Sequence, residues 1–172
     1  MKKKILGCLM LALLAPLAAQ DAATISSILA KKSVSYLDFS YLLASELGLT
    51  ATPFEAWAYC DRYGAFPFDA KAGDPVTVKE ISFFLVKNYG LGGGIMWSAS
   101  QSPRYAWKEL RNNGFWARNI DPGMILSGRD LVQAVSKFFN TYPEARLRTP
   151  PTPEAPYEYR NILLADSQED PL

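Results

Sequence analysis

The sequence predicts an all-α fold: helix-loop-helix repeats, about two and a half to three units, packed into one small domain with an irregular Pro-rich C-terminal tail. Three observations carry this. Residues 52–90 and 102–140 align without a gap at a constant offset of fifty: Thr52-Pro53 matches Ser102-Pro103, Ala56-Trp57 matches Ala106-Trp107, Gly64 matches Gly114 and Lys87 matches Lys137. The segment "TVKEISFFLVKNYGL" (77–91) repeats the grammar of "SYLDFSYLLASELGL" (35–49), with Ser35 against Thr77, Asp38 against Glu80, and Gly48-Leu49 against Gly90-Leu91. Apolar residues recur at spacings of three and four in Phe39, Leu42, Leu43 and Leu47, in Val78, Ile81, Phe84, Leu85 and Tyr89, and in Leu131, Ala134, Val135 and Phe139. That spacing puts each set on one helical face.

Taken in order, residues 1–19 ("MKKKILGCLMLALLAPLAA") read as a signal peptide, with three lysines ahead of an apolar run too short to span a bilayer. The expected destination is therefore across the inner membrane, in the periplasm or cell envelope. No later stretch is apolar enough to predict a transmembrane segment in the mature chain. "ATISSILAKKS" (23–33) can form a short, degenerate first helix. The domain proper is expected over residues 20–141.

Within each unit the first helix opens on Thr52 or Ser102, followed by Pro at the first helical position, where a missing N–H costs nothing. It closes on Gly64 or Gly114, suited to a left-handed turn. The second helix opens on Thr77-x-x-Glu80 or Ser127-x-x-Asp130, a capping box in which hydroxyl and acid each satisfy an orphan amide. Residues 77–89 carry apolar side chains on several flanks and should lie at the centre. Ten residues (92–101) separate Leu91 from Ser102 where only two separate Leu49 from Thr52, which marks "GGGIMWSASQ" as an inserted loop. From 142 to 172 the prolines at 143, 150, 151, 153 and 156 predict an extended tail.

The segment "AWKELRNNGFWARNIDPGMILSGRDLVQAVSKF" (106–138) resembles an S-layer homology repeat through Gly114, Pro122, Ser127 and Asp130, with Leu110 and Leu131 as apolar anchors. Residues 52–90 resemble it through Gly64, Thr77 and Glu80. The resemblance implies a pseudo-threefold domain of helix-loop-helix modules that attaches envelope proteins to cell-wall polymers. The family's ligand motif is Thr-Arg-Ala-Glu; its Arg position is occupied here by Val78 and Gly128, with cations one place later at Lys79 and Arg129.

Composition narrows the functional classes. Loss of Lys2, Lys3 and Lys4 with the leader would take the 18 Lys and Arg to 15 against 17 Asp and Glu, a formal charge of minus two, which offers no basic footprint for nucleic acid. There is no His in the chain, and Cys60 would be the one mature cysteine. Ser-His-Asp and Cys-His catalysis and His- or multi-Cys zinc sites are excluded on that ground. Cys60 aligns with Leu110 and reads as a buried hydrophobe. Trp57 and Trp107 hold equivalent places and read as core residues. "DAKAGDPVTVKE" (69–80) has the length of a calcium loop but carries Lys71 at the third place and Asp74 where the turn needs Gly.

These readings predict no cofactor, metal or catalytic residue, and no isolated carboxylate pair of the kind a glycan-cleaving enzyme needs. The expected function is a secreted, non-catalytic cell-envelope module whose partner is peptidoglycan, another wall polymer or an envelope protein. Lys79 and Arg129 are its candidate anion contacts, since cations at helix starts gain nothing from the helix dipole. Ile95, Met96 and Trp97 in the insertion are the candidate apolar contacts. The alternative is a protein-interaction adaptor that uses the 92–101 loop and the Pro-rich tail.

Overall fold

Seven helices account for the regular structure of a computed structural model that describes residues 22–49, 51–92 and 94–147. They are α1 (22–29), α2 (Tyr36–Glu46), α3 (Pro53–Asp61), α4 (Val78–Tyr89), α5 (Ile95–Ser100), α6 (Pro103–Asn112) and α7 (Gly128–Thr141), and no strand accompanies them among the described residues. The expected leader and residues 148–172 of the expected tail lie outside the described residues. No described helix is long and apolar enough to cross a membrane.

Local chemistry sets where the helices begin. In α2 the Ser35 amide donates to Asp38 Oδ2 at 2.9 Å while Ser35 Oγ accepts from the Asp38 amide at 3.3 Å. In α4, Glu80 Oε2 takes both the amide and the hydroxyl of Thr77, at 2.8 and 2.7 Å. In α7 the expected box is only half made: Ser127 Oγ accepts the Asp130 amide and donates its hydroxyl to Asp130 Oδ2, but the Asp130 carboxylate does not take the Ser127 amide. A further box, not anticipated, caps α3: Glu55 Oε2 accepts the Thr52 amide at 2.7 Å. After α3 and α6 the chain turns through Gly64 (φ +58°) and Gly114 (φ +74°), a conformation that a side chain would strain. Lys87 and Lys137 then donate to the exposed carbonyls of Gly64 and Gly114, where helix-end partial charge favours a cation.

Neighbouring segments satisfy further first-turn amides of α2, α4 and α7. Tyr36 and Leu37 donate to the carbonyls of Asp74 and Ala72, Val78 and Lys79 to those of Met124 and Pro122, and Gly128 to that of Lys31. Just ahead of each cap sits a buried apolar residue, Val34, Val76 or Leu126, and backbone bonds from Val34 to Leu126 and from Val76 to Val34 join the three. A closed circuit of loop carbonyls therefore serves three helix starts that would otherwise carry orphan donors.

Side chains fill the space around that circuit. Phe84 of α4 meets Phe39, Phe66 and Tyr63 at centroid distances of 5.4, 5.3 and 6.1 Å. Phe138 of α7 meets Tyr89, Phe115 and Tyr142 at 4.9, 6.1 and 5.4 Å. The α7 core face differs from the expected one: Phe138 is fully buried and Phe139 only half-buried, because Phe138 falls seven residues after Leu131 and four after Ala134. Tyr142, Ala145 and Leu147, which the sequence reading assigns to the tail, are half-buried against the same core.

The 92–101 segment is not the loop expected from its glycines. Residues Ile95–Ser100 form α5, with Ser98 and Ser100 hydroxyls bonded back to the carbonyls of Gly94 and Met96. Trp97 anchors it by packing edge-on against Phe83 at 5.9 Å. Gly92 supplies contact rather than flexibility, since a Cβ there would stand 1.9 Å from the indole nitrogen of Trp97.

Candidate functional site

Three segments converge beside the start of α4: residues 65–67 after α3, the first turns of α4, and the start of α6. Between them lies an open groove of about 450 Å³, lined by Phe66, Lys79, Glu80, Phe83 and Arg104 together with small and Pro residues. Lys79 is held at the rim by its backbone, whose amide donates to the Pro122 carbonyl at 2.9 Å. Arg104 arrives through the Ser102-Pro103 start of α6, one residue past the proline. Neither cation belongs to an ion pair among the described residues. Phe83 is half-buried and offers an apolar wall.

Glu80 also lines the groove, but its carboxylate is committed. It accepts from the Thr77 amide and hydroxyl, and its charge is felt by the neighbouring Tyr36 hydroxyl. Burial first, and then the adjacent Glu80 charge, push the Tyr36 hydroxyl well above its ordinary value, so Tyr36 remains a donor. The groove thus presents two unpaired cations and aromatic surface beside a carboxylate already tied into a helix cap. Such a lining suits recognition of an anionic, partly apolar ligand.

Of the residues singled out from sequence, Lys79 lies in this groove and Arg129 does not; Arg129 is exposed on the first turn of α7. The cation that joins Lys79 is Arg104, which the sequence reading overlooked. A signal for it existed, because Arg104 is a cation at a helix start, the same feature that marks Lys79 and Arg129. The two places that would carry arginine in a Thr-Arg-Ala-Glu motif face inward. Val78 is fully buried, and a Cβ on Gly128 would stand 1.7 Å from the Ile28 carbonyl oxygen.

The candidate apolar contacts separate. Ile95 and Met96 are 87% and 52% exposed on α5, while Trp97 is 8% exposed and turned into the core. Cys60 is fully buried, and burial pushes its thiol up to about 12, which removes it as a nucleophile. Trp107 is buried and Trp57 half-buried, and neither indole N–H has an acceptor among the described residues. Among family models, curated proteins and solved structures, none matches this chain.

Proposed function

We propose that this protein is a non-catalytic module of the cell envelope that holds a segment of anionic wall polymer, peptidoglycan or another, in the groove at the start of α4. The observation that carries the reading is that Lys79 and Arg104 line one groove together, neither in an ion pair among the described residues, with Phe83 in the same lining. The closed circuit of α2, α4 and α7 supports the analogy with S-layer homology domains, and the secretory reading of residues 1–19 supports an envelope or periplasmic location. In this reading Arg129 is a solvated surface charge and Glu80 is structural.

Sedimentation with purified sacculi tests it. The wild-type chain should pellet with the sacculi at low salt and be released as salt rises. A Lys79→Ala/Arg104→Ala variant should stay in the supernatant, and Arg129→Ala should pellet like wild type. Wild-type protein that remains in the supernatant at low salt overturns the proposal. A second reading, a protein-interaction adaptor, draws on the exposure of Ile95 and Met96. It requires that an Ile95→Asp/Met96→Asp variant lose partners that wild type captures from envelope extracts.

A further inference from the structure

A second concavity lies farther along α6 and shares no residue with the groove. It encloses about 170 Å³ and is lined by Trp107, Arg111, Arg118, Asn119, Asp121 and their neighbours. Arg111 sits one turn beyond Trp107 and lies over its indole, with the guanidinium carbon 5.0 Å from the ring centroid. Stacking of this kind fixes the guanidinium plane and leaves its N–H edge available. Arg118 reaches the same concavity from the loop after α6, and neither arginine belongs to an ion pair among the described residues.

That loop is braced. Ile120 donates to the Ala117 carbonyl, Met124 to the Asp121 carbonyl and the Gly123 amide to Asp121 Oδ1 at 2.7 Å, while Pro122 is tied to α4 by the Lys79 amide. The fold does not require arginine here, because fifty residues earlier the corresponding places hold Asp61 and Phe68. Trp107, which lines the concavity, has a buried indole N–H with no acceptor among the described residues. Two guanidiniums against the single carboxylate of Asp121 leave one net positive charge in a space large enough for a small acid group.

We infer that Arg111 and Arg118 form a binding site for a singly charged oxyanion group, a carboxylate or a phosphodiester, braced by Trp107 and independent of the α4 groove. Guanidinium suits both groups, since each presents two oxygens in one plane to its paired N–H donors. Asp121 discriminates against multiply charged anions by repulsion.

Titration of the ¹⁵N-labelled chain followed by NMR tests the site, with sodium acetate and sodium dimethyl phosphate as separate probes and sodium chloride at matched ionic strength as the control. Saturable shifts of the Trp107 indole and of the Arg111 and Arg118 Nε resonances are expected with at least one probe. Arg118→Gln, at an exposed position, should weaken that response about ten-fold, and Arg111→Gln/Arg118→Gln should abolish it. A response to acetate alone assigns a carboxylate, and a response to dimethyl phosphate alone assigns a phosphodiester. Shifts that match those in sodium chloride, that fail to saturate by about 50 mM, or that persist unchanged in Arg118→Gln overturn the inference. Lys79→Ala/Arg104→Ala should leave the titration unchanged, so failure of the groove reading and failure of this site are told apart.

Discussion

Ser82 is fully buried in α4, where its hydroxyl donates to the Val78 carbonyl at 2.6 Å and accepts the Trp116 indole N–H at 2.8 Å. Ser40 holds the same place in α2, five residues after the cap, but among the described residues its hydroxyl has no polar neighbour beyond the Cys60 thiol, a weak hydrogen-bond partner. The difference comes from Phe66, which stands fifty residues before Trp116, packs on Tyr36 and Phe39, and has no N–H to give. Ser82→Ala should therefore cost about 1–3 kcal/mol by leaving a buried indole donor unmet, whereas Ser40→Ala should cost less than about 1 kcal/mol. Urea unfolding of the two variants measures the contrast. Cys60 and Tyr89 make a related prediction, since burial raises both groups above their ordinary values and each is neutral when protonated. Their contribution is whole below the ordinary thiol value of 9.0 and is lost as pH rises toward about 12. The urea midpoint should thus hold steady from neutral pH to that value and fall beyond it, with a smaller fall in Cys60→Val.

At the level of single elements, the helices that were legible in the sequence are those whose starts and stops are chemical. The Ser35, Thr77 and Ser127 caps and the Gly64 and Gly114 turns announce themselves, because side chains close the orphan groups locally. Helix α5 was not legible. Six residues give too short a window for a period of 3.6, and its helical state rests on Trp97 reaching Phe83 from another helix. Gly92→Ala should drive the indole from its seat, since the added Cβ would overlap it. Amide hydrogen exchange in α5 should accelerate while α4 and α6 keep their protection. The groove was half legible for the same reason: Lys79 is marked by its place at a helix start, but its meeting with Arg104 depends on the path of the intervening chain through α5.

Across the whole molecule the offset of fifty in the sequence did not disclose how the last segment meets the first. Gly128 donates to the Lys31 carbonyl, and the absence of a side chain on Gly128 lets the backbone of α1 come up against the first turn of α7. Lys31 in turn holds the buried carboxylate of Asp38 at 2.7 Å, so the same short segment braces the starts of both α2 and α7. The circuit of carbonyls is thereby completed by contacts between residues nearly a hundred positions apart, a long-range closure that local patterning does not report. That closure separates the spatial order of the helices from their order along the chain. A circular permutant that begins at residue 51, ends at residue 49 and joins 147 to 22 through a flexible linker of about ten residues should unfold in one cooperative thermal transition close to that of the parent. A broad or much earlier transition would mean that the covalent sequence of the helices, and not their mutual facing, determines the assembly. The closed circuit thus makes the segment between α2 and α3 a place where the backbone can be cut without changing which surfaces meet.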